Sequence, residues 1–231
     1  MNATQTYQHL GYSNLASSIL WLDFIQFYGS NIIRTPDEVL RRRYHEISYE
    51  YLNRITALDP RFVQPYLATL NAVGWKQGRP DLARLLMIRG TQYFGSFREE
   101  DIIFIPYVWL NLSLVYLLFY ANGASIEFTY DQAAFWVESL SPKQQELYGA
   151  NADAYRATGK HLASQVSRDP IYAQFVGWRQ VFLGADDPEV QDIARKELEA
   201  MGAEVSLNEE GRYSVNPPPP EEGTSRIQLR F

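Results

Sequence analysis

At 231 residues, with 46% hydrophobic and 21% charged side chains, the chain is long enough for one or two domains with a substantial core. It contains no cysteine, which excludes disulfides, thiolate metal sites and thiol nucleophiles and fits a reducing compartment. The net charge of −6 is uneven, +3 over residues 1–95 and −9 over 96–231, and no basic stripe runs along the chain, which argues against nucleic acid as the partner.

The N-terminus MNATQTYQHLGYSN shows no basic region followed by an apolar run, so no signal peptide is legible and a location in the cytoplasm, or there peripheral to a membrane, is expected. A first helix is predicted over 12–28. Leu15, Ile19, Leu22 and Gln26 lie along one side, and Trp21, Phe24, Ile25 and Tyr28 form a broad adjacent stripe. Thr35-Pro36, with Glu38 completing a capping box, marks the next start. Val39, Tyr44, Ile47, Tyr51, Ile55 and Leu58 then supply one helical face. Arg41, Arg42 and Arg43 form the basic focus of the chain. They read either as a solvated face or as a contact for an acidic protein or an anionic lipid surface.

Residues 58–90, LDPRFVQPYLATLNAVGWKQGRPDLARLLMIRG, read as one helix–turn–helix unit of tetratricopeptide size, roughly 34 residues. Asp59-Pro60 is another capping signal, but Pro65 would then sit beyond the first turn. A short turn at 60–63 and a main helix from Gln64 to about residue 77 are expected instead. Leu67, Leu70, Asn71 and Gly74 share a face of that helix, and Asn71 and Gly74 are small enough to admit a second helix over 80–93. There Ala83, Met87 and Gly90 repeat at 0, 4 and 7. Ala133, Val137 and Leu140, then Ala194, Leu198 and Met201, show the same spacing, and this recurrence is the internal evidence for repeats.

From Ile102 to Ile126 no charged residue occurs, and the stretch is long enough to cross a bilayer. Pro106, Asn111 and Ser113 dilute it, and its flanks, Glu99-Glu100-Asp101 and Glu127, lack the cations that would orient a span. A buried central helix over 104–120 is the expectation, with Trp109, Leu112, Ser113 and Tyr116 at first-helix spacing. Further on, Ser141-Pro142 (with Gln144), Asp169-Pro170 and Asp187-Pro188 announce helix starts. About nine helices in antiparallel pairs are expected over 12–201. A small β-hairpin comes next, in which Glu204–Asn208 pairs with Arg212–Val215. The expected organisation is a helical-repeat domain over 1–202, the hairpin over 203–216 and a flexible, disordered Pro-rich tail over 217–231, with Pro217–Pro220 as a stiff spacer.

No acid–base pair, nucleophile or phosphate loop is legible, so no enzyme is expected. His9, His45 and His161 stand apart from one another. Asp186, Asp187, Glu189 and Asp192 are what a helix N-terminus favours, so neither a metal nor a cofactor is expected. The sixteen tyrosines and five tryptophans read as fillers between packed helices, with a dedicated aromatic binding face as the alternative.

With these residues in view, the chain resembles TPR-like helical-repeat proteins. More narrowly it resembles a group of short cyanobacterial proteins of unassigned function, through LGYSNLASSILWLDFIQFYGS at 10–30, LDPRFVQPYL at 58–67 and IARKELEAMGAEVSLNEEGRYSV at 193–215. The resemblance implies an all-α fold of stacked antiparallel helix pairs, a short solenoid, and a role in assembling or docking a membrane complex. The function expected is that of a non-catalytic protein–protein interaction scaffold or adaptor holding another protein or peptide. The alternative is a peripheral or integral membrane protein using 102–120 or the Arg41–Arg43 patch at the lipid. In stacked pairs the first helices line the binding face, which directs attention to 12–28, 64–77 and 104–120. Asn71, Lys76 and Arg41–Arg43 are the partner-binding candidates.

Overall fold

A computed structural model describes residues 12–29, 38–96, 99–185, 187–207 and 213–220, with the side chains of 38–46, 96, 99 and 100 outside that description. Among the described residues the chain is mostly helical, with ten α-helices and one two-stranded hairpin. The helices are α1 Ser13–Phe27, α2 Glu38–Leu58, α3 Gln64–Thr69, α4 Pro80–Thr91, α5 Ile105–Val115, α6 Gly123–Glu138, α7 Pro142–Tyr148, α8 Ala152–Arg168, α9 Pro170–Gly184 and α10 Pro188–Ala200. Two of them run on into π-helical turns, α3 through Leu70–Trp75 and α5 through Tyr116–Tyr120.

The helix starts result from local chemistry. Pro142, Pro170 and Pro188 each occupy the first turn, where a missing N–H costs nothing, and the residue before each caps it. Asp169 Oδ1 accepts from Tyr172 N–H at 3.0 Å, and Asp187 Oδ1 from Glu189 N–H at 2.8 Å. Asn122 and Asn151, caps that the Xaa-Pro pattern does not reveal, accept from Ser125 and Ala154 at 2.9 and 3.0 Å. Asp59-Pro60 opens a turn, and helix α3 begins at Gln64 with Pro65 inside its first turn. The Thr35 capping box lies outside the described residues.

The chain divides into two compact units at Val108/Trp109, a point within α5. In the first unit α1 packs on α2, and α2 on α3 and its π turn, which in turn pack on α4. Leu52, Ile55, Val63, Tyr66, Leu86 and Met87 form its fully buried centre. Gly74 brings α4 close: a Cβ there would stand 3.6 Å from the Cβ of Ala83, itself fully buried. Asn71, expected at the same helix contact, is exposed instead, because it faces away from α4.

In the second unit α6 packs along α8, and α9 packs on both the Tyr116–Tyr120 turn and α10. The pairing skips α7, which buries none of its residues; its sequence PKQQELY offers no apolar stripe to a neighbour. Ala133, Val137, Ala194 and Leu198 are all buried. The hairpin pairs β1 Glu204–Leu207 antiparallel with β2 Tyr213–Asn216, Val205 opposite Val215 and Leu207 opposite Tyr213. The Tyr213 ring meets Phe182 edge-on at 4.9 Å, which anchors the hairpin to α9.

One described helical stretch, Asp101–Tyr120, is long and apolar enough to cross a membrane, with a mean hydropathy of 2.1. Over half of it is buried in the protein, including Ile105, Val108, Trp109, Leu112 and Val115. Of the Pro-rich tail, residues 217–220 are among those described. Pro218 is buried, and Pro218–Pro220 line a cavity with Ile171, Tyr172 and Met201, because proline rings are apolar surface that the α9 start can cover. Residues 221–231 lie outside the described residues.

Candidate functional site

Helix α1 is held against α2 by small residues. Ala16 and Ser17 are buried at the contact, and Ser17 Oγ donates across it to the Ile55 carbonyl at 3.1 Å. This close approach turns Phe24 inward, where it is 3% exposed. Around it an aromatic cluster assembles. Trp21 stacks on Phe24 at 5.5 Å and meets Phe62 edge-on at 5.7 Å, while Tyr28 and Tyr51 tilt against Phe24 at 5.5 and 6.0 Å.

Opposite this cluster stands the α3 helix with its π turn. Ala68, with Asn71 and Ala72 three and four residues on, presents a shallow wall. Between that wall and Trp21, Phe24, Ile25, Tyr28 and Gly29 lies a cleft of about 250 Å³. A bulkier side chain at Ala68 or Ala72 would fill it. Asn71 stands in the first part of the π turn. Its carbonyl accepts from the Lys76 N–H at 3.1 Å, five residues on, and the extra residue per turn rotates the C-terminal end of the segment relative to an α-helix.

Among the described residues no charged side chain lines the cleft. The exposed Asn71 amide carries both donor and acceptor capacity, suited to a peptide backbone, and the aromatic wall suits an apolar side chain. Among the described residues no group of three or more His, Asp or Glu side chains could hold a metal ion. The perturbed titrating groups lie away from the cleft. Burial pushes the Tyr66 and Tyr130 hydroxyls up, while hydrogen bonds from Arg79, Arg156 and Lys196 hold Asp81, Glu138 and Asp192 low.

No family model, curated protein or solved structure matches this chain.

Of the residues singled out from the sequence, Asn71 lies at the cleft, and Lys76, half-exposed, sits just past it at the end of the same π turn. Arg41, Arg42 and Arg43 belong to α2, but their side chains fall outside the described residues. The cleft residues that the sequence did not mark as a site are Ala68 and Ala72 together with Trp21, Phe24 and Tyr28. The available signal was the run of small residues at 68, 71, 72 and 74, of which Gly74 meets Ala83 of α4.

Proposed function

We propose that this chain is a non-catalytic helical adaptor that docks an apolar segment of another protein in the cleft between α1 and the α3 helix. The reading rests on one observation: an exposed Asn71 amide at the rim of a cleft otherwise walled by aromatic, aliphatic and glycine residues. An aromatic or aliphatic anchor of the partner enters the cleft, and Asn71 holds the backbone beside it. TPR-like stacking of the helix pairs, service as an assembly or docking factor for a membrane complex, and a cytoplasmic location belong to the same proposal.

The test is differential capture by the tagged chain. Ala72→Trp, which fills the cleft, and Asn71→Ala, which removes the amide, should each release partners held by the wild type while leaving helicity intact. Charge reversal at Arg41–Arg43 should weaken capture of an acidic partner and flatten its salt dependence. Capture indifferent to all three changes would overturn the assignment.

A second reading, membrane association through Asp101–Tyr120, draws on the apolar character of that helix. Its burial favours the first reading. Retention in the membrane fraction after a carbonate wash would reverse that preference.

A further inference from the structure

Helix α1 carries a second apolar face, distinct from the cleft. Tyr12, Leu15, Ile19 and Leu22 are 59, 59, 51 and 57% exposed, and Gln26, next in the series, is also exposed. These five residues are spaced three, four, three and four apart, which places them in one row along the helix, the spacing of a two-helix seam. On the opposite side Ala16, Ser17 and Phe24 are buried against the body of the unit. A continuous row of exposed large apolar side chains marks an interaction surface. Among the described residues nothing covers this seam, which is suited to burial against a partner.

The chemistry of the helix narrows the occupant. Helices that lie on lipid carry lysine and arginine on their polar face, whereas Ser13–Phe27 contains neither and has Asp23 as its one charged residue, exposed beside Leu22. A charged protein surface would lose its hydration against Leu15, Ile19 and Leu22 with nothing to pair with. The fitting partner is another uncharged row of aliphatic residues of the same length, and the chain itself supplies one in a second copy. The exposed surface of these five side chains comes to on the order of 500 Å² per copy, and two copies meeting there would bury about 1,000 Å², the least that a specific interface needs.

We propose that two copies of this chain pair through α1, seam against seam about a two-fold axis. Such a contact is isologous, the commonest form of homo-oligomer. Ile19 is the midpoint of the row from Tyr12 to Gln26, so it meets its own copy or that copy's nearest neighbours whichever way the helices run. The pairing uses the outer face of α1 and leaves the Trp21–Asn71 cleft on the other flank open, so it stands apart from the adaptor reading.

The chain has no cysteine, which makes a single introduced thiol an unambiguous reporter. In sedimentation equilibrium from micromolar to submillimolar protein, the wild type should show a monomer–dimer equilibrium. Ile19→Asp and Leu22→Asp should each weaken it at least tenfold with an unchanged circular dichroism spectrum. Under mild oxidation Ile19→Cys should give a disulfide-linked dimer, while Leu85→Cys, at an equally exposed site on α4, should not. Ala72→Trp should leave the dimer intact, separating this result from any failure of the cleft assignment. A wild type monomeric throughout the range overturns the proposal, as does a dimer that survives both aspartates. Flotation of the monomer with phosphatidylcholine–phosphatidylglycerol vesicles, lost in Leu22→Asp, assigns the face to lipid and overturns it equally.

Discussion

The ring of Tyr66 occupies the space that a side chain at Gly90 would need: a Cβ built on Gly90 would stand 2.7 Å from Cε1 of the ring. The ring cannot easily yield, since Tyr66 is fully buried and its hydroxyl donates to the Pro60 carbonyl at 3.0 Å. Gly90→Ala gains about 1 kcal/mol of helix propensity. The overpacking it creates costs about 1–3 kcal/mol, and the fixed ring makes the cost prevail. Urea unfolding should show net destabilisation there. At Gly184, the last residue of α9, a Cβ meets nothing within 4 Å, so Gly184→Ala should be stabilising by about 0.4–1 kcal/mol. Equal effects at the two positions would mean that Tyr66 does not press on Gly90.

Tyr66 also predicts an alkaline limit to stability. Burial, the largest influence, raises its hydroxyl well above the ordinary value of 10.0. A group whose pKa is raised on folding contributes stability that is complete below the unfolded value and is lost as pH rises toward the folded one. Unfolding free energy should therefore fall from about pH 10 upward, as the unfolded tyrosine releases its proton. Tyr66→Phe should begin about 1 kcal/mol less stable for want of the Pro60 hydrogen bond. Its decline above pH 10 should be shallower, measured by urea titrations at stepped pH. Parallel curves would exclude Tyr66 as the source.

The contact between Gly74 and Ala83 sets how closely α3 and α4 approach. Ala83→Leu should force the pair apart and cost about 1–3 kcal/mol. The movement would carry the wall formed by Ala68, Asn71 and Ala72, so partner capture should weaken along with thermal stability. An unchanged melting temperature would remove Ala83 from the helix contact.

Helix α7 offers a case in which a cap matters locally and not globally. Ser141 N–H donates to Gln144 Oε1 at 2.9 Å and Gln144 N–H donates back to Ser141 Oγ at 3.4 Å, a complete capping box. Ser141→Ala should destabilise that helix by about 0.5–2 kcal/mol. Because α7 buries no residue, amide exchange across 142–148 should quicken while the global unfolding midpoint hardly moves. A matching drop in the global midpoint would show that α7 is part of the cooperative core.

Much of the helix framework was legible in the sequence because capping is a local affair. The serine or aspartate before Pro142, Pro170 and Pro188 needs only the next two or three N–H groups, so four residues suffice to state it. Asp59-Pro60 carries the same dipeptide signal but opens a turn, and Pro65 was the clue that the helix would wait until Gln64. The second unit was less legible. Its pairing of α6 with α8 depends on the short α7 having nothing to bury, which becomes visible only when the longer helices compete for partners. Likewise the four prolines from Pro217 read as a spacer by themselves, and their seating beside Ile171 and Tyr172 depends on where β2 delivers them.

The sequence by itself determined the helical class, most of the helix starts, the C-terminal hairpin and the small residues that let α4 approach α3. Each of these arises from chemistry within a turn or two of the chain. Only the tertiary structure decided which side of α1 is inside. Leu15, Ile19 and Leu22 form as regular a stripe as Trp21, Phe24 and Tyr28, so periodicity cannot choose between them. The choice falls to Ala16 and Ser17, whose small size and hydrogen bond to Ile55 admit α2 on one side alone. It likewise decided that Asn71 faces a cleft and Gly74 a helix, because burial belongs to the neighbours a residue meets, and those neighbours are set by the fold.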